Sequence, residues 1–150
     1  QDMVFENKKM VVIGGGITGM ETALYLKAQG NHVELVDFAP MVVWGDPRYM
    51  QEAAMELVHC REQNIPMHYD TKALKYADGK LEIEGVKDGV KGEIEADIVV
   101  LSTGVAPNTV LFDELRAAGH TNVWKIGDAN KPGKIVNAVE VASKMAYAML

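Results

Sequence analysis

A doubly wound α/β fold with an antiparallel meander set into it is predicted by three features of this 150-residue chain. "VVIGGGITGM" places three glycines between a short apolar run and a helical pattern. "ADGK" and "KDGV" each hold an Asp-Gly pair between strand-like runs, the composition of a tight hairpin turn. "DIVVLSTG" has an unbroken apolar core, as a parallel strand buried on both faces does.

The elements follow in order. Val11, Val12 and Ile13 form a buried strand before the glycines. From Ile17 to Gln29 the pattern is helical, and Gly30 is placed to end it. "HVELVD", His32 to Asp37, alternates as a second strand. Asp46-Pro47 supplies an N-cap and a first-turn proline for a second helix. Met50, Ala53, Ala54, Leu57 and Val58 follow at helical spacing, and the helix stops near Asn64 because Pro66 cannot continue it. A short strand comes next, then a three-stranded meander from about Thr71 to Glu95, with Leu81 and Ile83 on one face and Glu82 and Glu84 on the other. Asp97 to Gly104 returns to the parallel sheet. After Ala106-Pro107-Asn108 the character changes. "NVWKIGDA" reads as a short strand with Trp124 packed in it, and Ala138, Val141, Ala142, Met145, Ala146 and Met149 make a narrow apolar stripe on a last helix.

Composition narrows the function. The net charge of -6 argues against nucleic acid as a partner, since phosphate backbones need a basic face. No run approaches the roughly 20 apolar residues of a membrane span, and "QDMVFENKKM" lacks the apolar core of a signal peptide. The single cysteine, Cys60, cannot close an internal disulfide, which points to a reducing cytoplasm. It reads as a small core or groove residue. Gln1 is not an initiator and the last helical pattern is unfinished, so the chain reads as a fragment of something longer.

Gly14, Gly16 and Gly19 fit G-x-G-x-x-G in a Rossmann-like unit. Gly14 permits the tight turn out of the strand, Gly16 lets a pyrophosphate approach the backbone, and Gly19 lets helix and strand pack closely. The helix start then offers N–H groups and a partial positive charge to phosphate. Gly15, Ile17 and Thr18 complete the cradle. Asp37 ends the second strand near the roughly 20-residue spacing at which a carboxylate meets the adenosine ribose. It would repel a 2′-phosphate, so NAD(H) is favoured over NADP(H); the plainer reading is a solvated strand end. Glu21 reads either as a first-turn charge on the helix dipole or as a group reaching toward the nicotinamide.

Other constellations carry less. The four histidines show no metal-ligand spacing, and no metal site is expected. Glu93, Glu95 and Asp97 read as a solvated face, and Met50, Met55, Met145 and Met149 as core or interface filler.

"VVIGGGITGMETALYLKAQGNHVELVD", "VLSTGVAPNTVL" and "VWKIGDANKPGKIVNAVEVASKMAYAM" together resemble the pyridine-nucleotide-dependent flavoprotein oxidoreductases. Within these, the chain is similar to the C-terminal region of NADH:flavin oxidoreductases of the 2,4-dienoyl-CoA reductase and 2-enoate reductase type. The resemblance implies an NAD(H)-binding domain over residues 1–105, inserted into a split FAD-binding domain whose C-terminal piece is 106–150. Thr103 and Gly104 would lie near the dinucleotide, Glu21 near the nicotinamide, and Gly127 and Asp128 would form half of a flavin site. FAD would be present in the full-length protein, with FMN and an iron–sulfur cluster upstream. Electrons would pass from NADH to FAD and on to an activated alkene. The chain holds one glycine fingerprint where such enzymes have two, and no Cys-x-x-Cys. The isolated fragment is therefore expected to be inactive, with no catalytic residue of its own. Expected partners are a small dinucleotide and the remainder of a longer chain; a homo-oligomer is left open, and pairing through a cut surface such as the Ala138–Met149 stripe would be artificial. Two other readings stand beside this one: a non-catalytic adenine-dinucleotide or redox sensor, and an S-adenosylmethionine methyltransferase. The meander speaks against the methyltransferase, and "STGVAPN" and "IGDA" speak against the sensor.

Overall fold

The computed structural model describes residues 4–41 and 50–149. The expected Asp46-Pro47 cap lies outside the described residues. The chain divides into two compact units, Gln1–Thr103 and Gly104–Leu150.

The first unit is built on a four-stranded parallel sheet. Its strands are β1 (Lys9–Ile13), β2 (His32–Val36), β3 (Met67–His68) and β7 (Ile98–Leu101), in the order β3-β2-β1-β7. Helices α1 (Ile17–Ala28) and α2 (Met50–Glu62) cover one face. The meander of β4 (Thr71–Ala77), β5 (Lys80–Gly85) and β6 (Lys91–Glu95) covers the other. Strand alternation sorts the residues between the layers. Met10, Val12, Val33 and Leu35 pack with Met20, Ala23 and Leu26 of α1 and with Ala53, Leu57 and Cys60 of α2. Val11, Val36 and the half-buried Val99 pack with Leu81, Ile94 and Ala96. A one-residue register slip would exchange the two sets.

Turn chemistry fixes the ends. Gly30 has φ +85° after α1, a conformation glycine adopts without strain. Asp78 and Gly79 both have positive φ, 51° and 75°, as the two-residue turn from β4 to β5 requires. The second hairpin differs from expectation. Its loop spans five residues, 86–90, and is held by the Asp88 carboxylate accepting from the Val90 N–H at 3.0 Å.

Other expectations are corrected. β7 is an edge strand, so the apolar run it carries is only half-buried and Leu101 is 72% exposed. On α2 only Ala53, Leu57 and Cys60 are buried, while Met50, Ala54, Met55 and Val58 face solvent. Met149 is exposed as well, and the fully buried methionines are Met10 and Met20.

The second unit contains α3 (Val110–Ala117), a 3-10 turn at Gly127–Ala129 and α4 (Ile135–Ala148). The expected strand through Trp124 is absent among the described residues, and Trp124 is 49% exposed. A strand needs a paired neighbour, and this unit offers none among its described residues. Helix α3 was not anticipated. Its start is marked by the Asn108 side chain accepting from the Val110 N–H at 3.2 Å and by the Thr109 hydroxyl donating to Asp113 at 2.7 Å. Neither α3 nor α4 has a buried residue, although Ala138, Val141, Ala142 and Met145 of the expected stripe are half-buried.

Candidate functional site

The site of the first unit begins where β1 ends. The Gly14 N–H donates to the Val36 carbonyl at 2.8 Å, and the Ser102 N–H donates to the Ile13 carbonyl at 2.8 Å. These bonds bring the ends of β2 and β7 against the glycine turn. Gly14 has φ +112°, and a Cβ there would lie 2.7 Å from the Ser102 carbonyl carbon. A Cβ on Gly19 would lie 2.9 Å from the Gly14 carbonyl carbon and would overlap its oxygen. Both glycines are therefore fixed by close backbone approach. Gly16 is different: it is exposed and extended at φ -71° and ψ 179°, and no neighbouring atom lies within 4 Å of where its Cβ would be. It caps α1 without a side-chain hydrogen bond. The N–H groups of the first helical turn, from Ile17, Thr18 and Gly19, thus have no side-chain cap competing for them.

Asp37 lies at the end of β2, half-buried beside this turn. One carboxylate oxygen accepts from the Gly15 N–H at 2.5 Å; the other accepts from the Ala39 N–H at 2.8 Å. It is not a free solvated strand end. An ionised carboxylate has about four acceptor positions, so capacity remains for two more donors. Gly15 is buried, and a Cβ on it would lie 2.8 Å from Leu35 Cδ2, 2.9 Å from Tyr69 Cε1 and 3.1 Å from Asp37 Cβ. The requirement for glycine at this position, and the part of Tyr69, left no pattern in the sequence: they arise from the approach of the ends of β2 and β3 to the turn.

Glu21 is exposed in the second turn of α1, not the first, because the helix starts at Ile17. The first-turn dipole reading is thereby corrected. Thr103 is exposed beyond β7, and Gly104, with φ +86°, opens the second unit. In that unit Gly127 has φ +55°, and the exposed Asp128 carboxylate accepts from the Gly133 N–H at 3.2 Å, just before α4.

Elsewhere the Glu34 carboxylate meets the His68 ring at 2.7 Å and Lys80 pairs with Glu93 at 2.6 Å. Lys9 pairs with Glu95, and the hydrogen bond holds the ammonium above and the carboxyl below their usual ranges. Among the described residues no group of three or more His, Cys, Asp or Glu is placed to hold a metal ion, and no helix is long and apolar enough to cross a membrane.

Cys60 is fully buried, with its thiol pushed up to about 11 by burial and then by Glu56; burial first, then Cys60 and Asp37, pushes Tyr69 up to about 12. A raised acid favours the folded state below its unfolded pKa, and that stability is lost as pH rises through the folded value. Stability is thus expected to fall between about pH 9 and 11 through Cys60. Urea midpoints across this window should decline less steeply in Cys60→Ala than in the parent chain; equal slopes would refute the assignment.

A family model described as pyridine nucleotide-disulphide oxidoreductase matches residues 2–144. The chain belongs to this family. Cinnamate reductase of Clostridium sporogenes is 33% identical over 154 residues, covering 97% of this chain and 22% of its own length. An NADH oxidase of Methanocaldococcus jannaschii is 35% identical over 107 residues, covering 69% of this chain and 22% of the oxidase. The chain therefore spans about a fifth of the length of these relatives. Histamine dehydrogenase from Rhizobium sp. 4-9 shares the fold with a TM-score of 0.75 at 22% identity, over 94% of this chain and 23% of that one. A 2-naphthoyl-CoA reductase does so with a TM-score of 0.73 at 23% identity, over 95% and 21%. The disulphide in the family's description has no counterpart within this oxidoreductase segment, whose one cysteine is sealed in the core.

Proposed function

We propose that the chain is the NAD(H)-binding segment of a flavin-dependent oxidoreductase. It would present NADH for hydride transfer to FAD in a larger enzyme that reduces an activated alkene. The observation that carries this is the Asp37 carboxylate, held beside the glycine turn with acceptor capacity left. That arrangement suits an adenosine ribose next to a pyrophosphate. Gly16 leaves room for the phosphates, and the uncapped start of α1 offers N–H groups to them. The likeness to cinnamate reductase supports the alkene end of the reading.

When bound, the nicotinamide supplies the hydride. This chain's own residues bind and orient: the turn takes the pyrophosphate, Asp37 the ribose and Glu21 the nicotinamide side, with Thr103 near the dinucleotide. Gly127 and Asp128 would hold half of the FAD site, the other half coming from the rest of a longer chain. That remainder would also cover apolar groups of the second unit such as Ile135, which is 85% exposed. A homo-oligomer is an open alternative, and a cytoplasmic location fits a chain whose single cysteine can close no internal disulfide.

Titration with NADH, NADPH and ADP-ribose tests the reading. NADH and ADP-ribose should bind and NADPH should bind more weakly; equal affinity for NADH and NADPH would remove the role given to Asp37. Gly16→Ser separates binding from folding. Serine is a favoured N-cap and the extended backbone suits it, so the melting temperature should hold or rise. The new side chain fills the space kept for phosphate, so NADH affinity should fall roughly tenfold or more.

A further inference from the structure

We propose that Tyr69 is a positioning residue of this site: its ring packs against Gly15 while the Asp37 carboxylate holds the Gly15 N–H, and together they clamp the phosphate turn in its binding shape. This rests on the dinucleotide reading above. Gly15 has its N–H on Asp37 at 2.5 Å, while the Tyr69 ring edge stands 2.9 Å from where its Cβ would be.

The segment carrying Tyr69 is laced to the segment carrying Asp37. The Asp37 N–H donates to the His68 carbonyl at 2.9 Å, the Thr71 N–H to the Asp37 carbonyl at 2.9 Å, and the Asp70 N–H to the Ala39 carbonyl at 3.2 Å. The Thr71 hydroxyl donates back to the Tyr69 carbonyl at 2.9 Å. Both jaws of the clamp thus move as one piece with the end of β2. Among the described residues the Tyr69 hydroxyl meets only thioether sulfurs, Met67 at 3.9 Å and Met20 at 4.0 Å, which are weak acceptors. The ring, and not the hydroxyl, carries the effect. A turn already fixed in its bound shape spends no binding energy on ordering itself, which is how a residue that touches no ligand raises affinity.

The test uses Tyr69→Leu, Tyr69→Phe and Asp37→Asn in the whole chain. Without ligand, the Gly15 amide proton should resonate far downfield and move upfield in Asp37→Asn. Its exchange with solvent should be roughly tenfold or more faster in Tyr69→Leu and unchanged in Tyr69→Phe. NADH affinity should follow the same order, weakened in Tyr69→Leu and retained in Tyr69→Phe. Slow Gly15 exchange in Tyr69→Leu, or Tyr69→Phe behaving like Tyr69→Leu, would overturn the clamp. Should Tyr69→Leu not fold, Gly15→Ala loads the same contact, its methyl pressing on the ring together with Leu35 and Asp37 Cβ; unchanged NADH affinity there would also overturn it. If the parent chain binds no NADH, the dinucleotide reading fails on its own, and Gly15 exchange still judges the clamp.

Discussion

Gly19→Ala is expected to unfold the first unit or to lower its melting temperature by roughly 10 °C or more. The new methyl would overlap the Gly14 carbonyl oxygen and lie 2.9 Å from its carbon. That carbonyl cannot retreat cheaply, because the Gly14 N–H is tied to Val36 and Gly14 itself presses against Ser102. Overpacking in a fixed environment costs about 1–3 kcal/mol, and more when backbone must move. A domain has about 5–15 kcal/mol to lose. Gly14→Ala should be at least as severe. It adds a positive φ of 112° to a clash with Ser102, and a residue held in such a region costs about 1–3 kcal/mol by itself. Gly30→Ala is the control. It too has positive φ, but open space surrounds the missing Cβ, so only the conformational cost of about 1–3 kcal/mol applies, with no clash added to it. Thermal unfolding followed by circular dichroism orders the three. A Gly19→Ala chain that melts with the parent would show that helix and strand do not meet through this glycine.

That contrast marks what the sequence could disclose. The turn was legible because its demands are local: a glycine where φ is positive, a glycine where backbones touch, a helix beginning three residues later. The Asp78-Gly79 hairpin and the alternation of Leu81 and Ile83 were legible for the same reason. Exposure was not. Leu101 and the Met50, Met55 and Val58 side of α2 have apolar patterns equal to those of buried elements, and only the position of β7 at the sheet edge and the choice of the Ala53, Leu57 and Cys60 face of α2 as the packed one decide which atoms are covered. "NVWKIGDA" failed in the same way: alternation around Trp124 and Ile126 promises a strand, but a strand forms only where another waits to pair with it. Helix α3 had a readable start in Asn108-Thr109 and a readable end in Gly119, whose φ is +90°. The site divides along this line too. Gly14, Gly16, Gly19 and Asp37 follow from spacing. Tyr69 and the second role of Asp37, as anchor of the turn, follow from contacts between segments distant in sequence.

Under the proposed dinucleotide reading, this second role makes Asp37 the most consequential residue for ligand choice. Asp37→Asn keeps the shape and one acceptor oxygen but loses the charge and half of the acceptor sites. Its oxygen can serve Gly15 or a ribose hydroxyl well, but not both as a carboxylate does. Charge-assisted hydrogen bonds contribute about 1.5–3 kcal/mol, so NADH affinity should fall roughly 10- to 100-fold. NADPH should lose less, because removing the negative charge also removes repulsion of the 2′-phosphate. The preference should therefore narrow without inverting, since the anchor of Gly15 is weakened for either ligand. Asp37→Ala leaves the Gly15 N–H unpaired in a buried position, at a cost of about 1–3 kcal/mol. Both affinities should then collapse together, along with some thermal stability. Measuring NADH and NADPH binding for the two variants separates the roles. A substitution that abolished NADH binding while leaving NADPH binding stronger than in the parent would show that the carboxylate only selects, and that the turn stands without it.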